Sequence, residues 1–269
     1  MRIFATKLKE NFTYHCRMKK IAFITGATSG IGRASAEKLA DAGFRVIISA
    51  RRKEKLEEFG KLLEDRGHDV LTLVFDVRDR EACRRAVASL PEEWSRIDLL
   101  VNNAGLALGL EPEYEGDFAD WDTMIDTNIK GLLNMTRFVV PGMVARDSGH
   151  VINIGSVAGD AAYGGGNVYC ATKAAVKTIT DGLRIDLAHT SVRVTNVKPG
   201  LVETDFSRVR FHGDSERAGN VYKGIKPLTG EDIADVVLYA ATAPAHVQIA
   251  EVLVLATHQG SGSVICREN

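Results

Sequence analysis

Residues 20–25, KIAFIT, form an apolar, β-branched run that reads as a buried strand. The chain then turns through Gly26-Ala27-Thr28-Ser29-Gly30-Ile31-Gly32 into RASAEKLADAG, whose Ala and Leu spacing is helical and which stops at Gly43. This order of strand, glycine turn and helix constrains the fold most, because its alternation recurs. Further apolar runs lie at 44–50 (FRVIISA), 69–77 (DVLTLVFDV), 97–105 (IDLLVNNAG), 150–155 (HVINIG), 192–200 (VRVTNVKPG) and 248–256 (QIAEVLVLA), with helical segments between them. Strands that are apolar on both faces belong to a sheet covered on both sides, and strands alternating with helices are joined by right-handed crossovers. The expected fold is α/β, a doubly wound, mostly parallel sheet of the Rossmann type in three layers. A chain of 269 residues is long enough for one such domain to bury a large core. The expected organisation is a single domain over residues 18–269, with residues 1–17 as an N-terminal extension and Met18 as the natural start.

In a fold of this kind the first glycine turn is where a backbone approaches a pyrophosphate closely, at the positive end of the following helix. The spacing GxxxGxG is a variant of the dinucleotide fingerprint, and a tight turn without a ligand is the alternative. The second run ends in Ala50-Arg51-Arg52. An acidic residue there would meet the adenosine ribose hydroxyls, whereas guanidinium groups pair with a 2′-phosphate, so Arg51 and Arg52 favour NADP(H) over NAD(H). The alternative is that both are solvated residues at a helix start, where arginine opposes the dipole. Asp76 closes the third run, placed either to accept from an adenine amino group or to cap the next helix. Asn102-Asn103-Ala104-Gly105 allow close passage beside a ligand, although small residues and amides also occur in ordinary turns.

The chemistry concentrates further on. Ser156 follows the apolar run HVINIG and so leaves the carboxyl end of a strand, where ligands sit in open α/β sheets. Tyr169 comes thirteen residues later and Lys173 four beyond it, on a helical segment where that spacing shares a face. An ammonium near a phenol favours the phenolate, so Lys173 is expected to lower the Tyr169 pKa and make the phenol a general acid or base; a chance surface pair is the alternative. Asn128 sits inside a mostly helical stretch, 118–143, where asparagine is a poor helix former. Residues 201–227 are polar with mixed charge and read as a lid, with Arg208, Arg210 and His212 in it.

The 34 basic and 35 acidic residues nearly cancel, leaving a net charge of -1, so nucleic acid and anionic membranes are not expected partners. No apolar stretch is long enough to span a bilayer. The four cysteines (Cys16, Cys83, Cys170, Cys266) show no metal-ligand spacing, so no metal is expected, and reduced thiols in a cytoplasm are the simplest account.

TGATSGIG at 25–32, NNAG at 102–105, Asn128 in DTNIKG, Ser156, YCATK at 169–173 and PGLVET at 199–204 together resemble the classical short-chain dehydrogenase/reductase family, over residues 20–256. The resemblance implies an oxidoreductase with Tyr169 as proton donor and acceptor, and Ser156 as partner of the substrate oxygen. Lys173 would lower the tyrosine pKa and hold the nicotinamide ribose, and Asn128 would position a water that links Lys173 to solvent. It places Gly26, Ser29, Gly30 and Ile31 at the pyrophosphate, Asp76 and Val77 at the adenine, and Asn103 and Ala104 along the ribose. Pro199, Gly200, Val202 and Thr204 would surround the nicotinamide, and a homotetramer is implied through the long helices. Within the family, LVNNAGLALGLEP, DWDTMIDTNIKGL, YGGGNVY, FSRVRFHGD and APAHV are most similar to the NADP-dependent 3-hydroxy acid dehydrogenases, also called serine or allo-threonine dehydrogenases. Arg208 and Arg210 would then bind the substrate anion, with a solvated basic cluster as the alternative. A reductase of sulfoacetaldehyde or other carbonyls would use the same residues, and a non-catalytic NADPH-binding sensor is the reading from another class. The C-terminal run THQGSGSVICREN departs from the family pattern.

Overall fold

Seven parallel strands form one sheet in the order β3-β2-β1-β4-β5-β6-β7: β1 (Ile21–Thr25), β2 (Arg45–Ala50), β3 (Val70–Val74), β4 (Ile97–Asn102), β5 (Gly149–Ile154), β6 (Val192–Pro199) and β7 (Glu251–Val254). The coordinates are a computed structural model that describes residues 19–267; the expected extension of residues 1–17 lies outside them. All pairings are parallel, and β1 carries β2 on one side and β4 on the other, in register Phe23↔Ile47 and Phe23↔Leu100. The strand order reverses between β1 and β4, so the carboxyl ends of these two strands open a crevice.

Both faces of the sheet are covered, as the continuous apolar runs require. Ala22 and Ile24 of β1 point to one side, into a core with Val46, Ile48, Leu39, Phe59, Ile233 and Val237. On that side lie α1 (Gly30–Asp41), α2 (Lys53–Asp65) and, further along the chain, a helix over Gly230–Thr242. Ile21 and Phe23 point to the other, into a core with Ile47, Leu100, Met135, Met143, Val151 and Val194. The elements after β3 and before β5 are α3 (Arg80–Ala88), α4 (Glu92–Ser95), α5 (Phe118–Ile125) and α6 (Leu132–Ala145). After β5 come α7 (Asn167–Asp186), then α8 (Phe206–Arg210), α9 (Ser215–Asn220) and α10, the Gly230–Thr242 helix.

Several local expectations change. Between α5 and α6 the backbone widens into a π-helical turn, Asp126–Gly131, with Asn128 inside it, where the sequence reads as plain helix. Pro141, which fits a kink or an ending, lies inside α6, and the helix runs on to Ala145. The lid region carries two short helices, α8 and α9. The last apolar run forms only the four-residue edge strand β7, which pairs with Asn196–Pro199 of β6.

Candidate active site

The glycine turn after β1 is shaped by contacts that leave no room for side chains. Gly26 has φ +68°, and a Cβ there would lie 2.9 Å from Ala104 Cα; at Gly32 it would lie 2.3 Å from Asn103 Nδ2 and 2.4 Å from Gly26 O. Asn103 fastens the turn by donating from Nδ2 to Thr25 O (2.9 Å) and Gly26 O (3.1 Å). Ser29 caps α1 without a side-chain hydrogen bond, and the first turn of α1 carries no acid. The N-terminal N–H groups are therefore turned to the crevice with no competing carboxylate, a cradle suited to a pyrophosphate.

One cleft of about 590 Å³ runs from this turn across the carboxyl edge of the sheet. Every cofactor residue expected from the sequence lines it, from Gly26, Ser29, Gly30 and Ile31, through Arg51, Arg52, Asp76, Val77, Asn103 and Ala104, to Pro199, Gly200, Val202 and Thr204. Ser156, Tyr169, Lys173, Arg208 and Arg210 line it too. At its adenosine end no acid stands at position 50, Arg52 Nη2 donates to Thr28 Oγ1 (2.9 Å), and Arg51 Nη1 lies 3.7 Å from Asp76 Oδ2. Asp76 caps nothing: Asp79 is the cap of α3, accepting from Ala82 N–H at 3.0 Å. This arrangement of glycine cradle, helix end and paired arginines fits a phosphorylated dinucleotide.

At the other end stand the groups expected to move protons. Ser156 lies two residues beyond β5; its Oγ accepts from Ala158 N–H at 3.1 Å, which leaves its own O–H to donate. Tyr169 and Lys173 are both buried on α7, and Lys173 Nζ lies 5.9 Å from the Tyr169 ring centroid. The expected lowering of the tyrosine pKa is not what this geometry gives. Burial pushes the Tyr169 phenol up from its ordinary value and outweighs the opposing effects of the Ser156 hydroxyl and the Arg210 guanidinium. Lys173 does not offset it, because its Nζ donates instead to Ile154 O at 2.9 Å and burial pushes its ammonium down to about 8.

Asn128, expected among the catalytic residues, does not line the cleft. Its side chain is engaged: Oδ1 accepts from Leu106 N–H (2.9 Å), and Nδ2 donates to Leu106 O (2.8 Å) and Thr172 Oγ1 (3.0 Å). A Cβ at Gly105 would lie 3.2 Å from Asn128 Oδ1 and 3.5 Å from Lys173 Nζ, so the two side chains flank Gly105. Both Nδ2 hydrogens of Asn128 are thus used within the protein, which leaves Oδ1 and the main chain in the π-helical turn as the groups that could meet a water.

The two lid arginines separate. Arg208 is exposed and pairs with Asp205 at 3.3 Å, whereas Arg210 turns inward. Arg210 donates from Nε to Gly109 O (3.0 Å) and from Nη1 to the Tyr163 hydroxyl (2.8 Å), and its guanidinium lies 5.8 Å from the Tyr169 ring centroid. His212 pairs with Asp120 at 2.9 Å, away from the cleft. Tyr163 is a functional candidate that the motifs do not mark; the phrase YGGGNVY contains it, but only the fold brings it to Arg210. The divergent C-terminal run also reaches the site. Gln259 Oε1 accepts from Leu201 N–H at 2.8 Å, and Gln259, Gly262 and Ile265 line the cleft. Cys170, beside Tyr169, is buried, and burial raises its thiol pKa.

A doubly wound parallel sheet whose carboxyl edge joins a glycine cradle to a Ser-Tyr-Lys cluster defines an oxidoreductase class, and the chain belongs to the short-chain dehydrogenase family, whose model matches residues 20–214. The chain is 54% identical over 230 residues to the NADP-dependent 3-hydroxy acid dehydrogenase YdfG of Salmonella typhi, covering 85% of this chain and 92% of the relative. It is 48% identical over 243 residues to sulfoacetaldehyde reductase 2 of Chromohalobacter salexigens, with 90% and 96% covered. Among solved structures it is similar to the closed form of serine dehydrogenase complexed with NADP+, at a TM-score of 0.88 and 47% identity, covering 93% of this chain and all of the other. Among the described residues, no helix is long and apolar enough to cross a membrane and no cluster of His, Cys, Asp or Glu is arranged to hold a metal.

Proposed function

We propose that this protein is an NADP(H)-dependent oxidoreductase acting at the 3-hydroxyl carbon of small 3-hydroxy acids of the serine, allo-threonine and 3-hydroxyisobutyrate type. The observation that carries the reading is Arg210: a guanidinium held by Tyr163 and Gly109, stationed over the ring of Tyr169. An anion-binding cation close to a proton-transferring phenol suits a substrate whose carboxylate is two carbons from the reacting hydroxyl. The names of the YdfG relative and of the serine dehydrogenase structure agree with that substrate class and with NADP.

NADP(H), when bound along the cleft, supplies or takes up hydride. Gly26, Ser29, Gly30 and Ile31 would hold its pyrophosphate, Arg51 and Arg52 its 2′-phosphate, and Lys173 its nicotinamide ribose. Ser156 donates its free O–H to the substrate oxygen and Tyr169 exchanges a proton with the same oxygen. Because burial holds Tyr169 protonated, the site as it stands is set to donate a proton, as reduction of a carbonyl requires. In oxidation the phenol must first lose that proton. Lys173 and the main chain at Asn128 provide the inner end of the path by which it leaves.

Sulfonate recognition is a second reading favoured by the same Arg210 and Tyr163 pair, and by the sulfoacetaldehyde reductase relative. Absorbance at the NADPH band separates them. NADP+ reduction with 3-hydroxy acids, and little with NAD+, supports the first, whereas NADPH oxidation with sulfoacetaldehyde, none with 3-oxo acids and no NADP+ reduction with 3-hydroxy acids replaces it with the second. A biological effect retained by Tyr169→Phe would instead favour an NADPH-binding sensor. The reading extends to one cytoplasmic domain over residues 18–269, assembled as a homotetramer through α5, α6 and α7, where Phe118, Leu133 and Ile185 are exposed. Light scattering of the purified chain tests the assembly.

A further inference from the structure

Arg78 carries no motif and has no part in the chemistry above. It follows Asp76 and Val77 at the adenosine end of the cleft without lining the cleft itself. Its guanidinium donates to Asp76 Oδ2 from Nε (2.9 Å) and from Nη2 (2.7 Å), and its backbone N–H donates to Asp76 Oδ1 (2.9 Å). Both carboxylate oxygens are thus engaged by one residue. Arg51 stands off at 3.7 Å from the same carboxylate, beyond hydrogen-bond distance, and makes no hydrogen bond among the described residues. Burial works against the charge of this carboxylate, but the hydrogen bonds and charge of Arg78, with a smaller effect from the charge of Arg51, outweigh it and hold its pKa below the ordinary value.

An ionised acid in this place has two consequences if nothing compensates it. It repels a nearby phosphate, and it draws Arg51 into a close ion pair that occupies the guanidinium. We propose that Arg78 is a positioning residue for cofactor choice, which neutralises Asp76 and so leaves Arg51 free for the 2′-phosphate of NADP(H). The inference rests on the reading of the Arg51 pocket as the 2′-phosphate site.

Binding of NADPH and of NADH to the full chain, followed by the change in nicotinamide fluorescence without substrate, tests it. Arg78→Ala is expected to weaken NADPH by about fivefold, the effect of a partly exposed ion pair, and to change NADH by less than about twofold. Arg78→Lys keeps the charge but not the fork, and falls between. In an Asp76→Asn background the Arg78→Ala change costs no NADPH affinity, because no carboxylate remains to be neutralised. Equal weakening of both nucleotides, or the same cost in the Asp76→Asn background, overturns the inference in favour of a structural role. Arg78→Gln, which keeps the side-chain length, replaces Arg78→Ala if the latter does not fold. Arg51→Ala separates the two levels. If it leaves NADPH binding unchanged, the 2′-phosphate reading and the inference both fall; if it weakens NADPH while Arg78→Ala does not, only the inference falls.

Discussion

Replacing Arg210 by Met removes a charge while keeping an unbranched side chain of similar bulk. In the proposed reading the guanidinium makes a charge-assisted pair with the substrate carboxylate, and such bonds contribute about 1.5–3 kcal/mol. At roughly 1.4 kcal/mol per factor of ten, kcat/KM for a 3-hydroxy acid is expected to fall by roughly tenfold to a hundredfold. The same substitution also breaks the bonds to Gly109 O and to the Tyr163 hydroxyl, which join α8 to the loop after β4. That structural cost falls on every substrate alike. The informative comparison is therefore between a charged substrate and its uncharged counterpart, such as a 3-hydroxy acid against its methyl ester, both assayed by NADP+ reduction with wild type and variant. The loss must be specific to the acid. Equal losses on acid and ester would refute anion recognition and leave Arg210 as a lid fastener only.

Tyr169→Phe removes the proton donor but leaves a ring that still packs edge-on against Phe206 at 5.6 Å; turnover should drop by about 10²–10⁴-fold with NADPH affinity kept, and loss of NADPH affinity would argue against this division of roles. Because burial raises the Tyr169 pKa, kcat/KM for oxidation should climb with pH through the neutral and alkaline range while reduction stays level until the alkaline side; a falling oxidation limb above neutrality would contradict the assignment of Tyr169 as base. His150 is buried in β5 against Thr195 Oγ1 at 2.8 Å, and desolvation, helped by the charges of Arg193 and Lys20, lowers its pKa from 6.5 to about 3. Its folded pKa is below its unfolded value, so its contribution is complete above about pH 6.5 and is lost as pH falls toward 3. Between pH 6.5 and 5 this amounts to about 1.6 kcal/mol of unfolding free energy, measurable by urea denaturation, and His150→Leu should flatten that part of the pH dependence.

The fold was largely legible from the chain itself. Runs such as KIAFIT and HVINIG place apolar residues at consecutive positions, and so on both faces, because both faces of a parallel strand are buried, and that pattern needs no tertiary information. The glycine turn was legible for a similar reason, since Gly26 and Gly32 stand where a Cβ would collide with backbone or with Asn103. Spacing alone also put Tyr169 and Lys173 on one face of a helix. It did not give the charge balance between them. Burial of both groups and the bond from Lys173 to Ile154 O decide that the phenol is raised rather than lowered, and both depend on how α7 packs against β5. Asn128 likewise read as an awkward helical residue, and only the packing against Leu106 and Thr172 shows a locked amide within a π-helical turn. Arg208 and Arg210 are two residues apart and chemically equal in the sequence. The fold turns one toward Asp205 and solvent and the other toward Tyr163, because residues about half a helical turn apart face different sides, and only the neighbouring elements decide which side is the site.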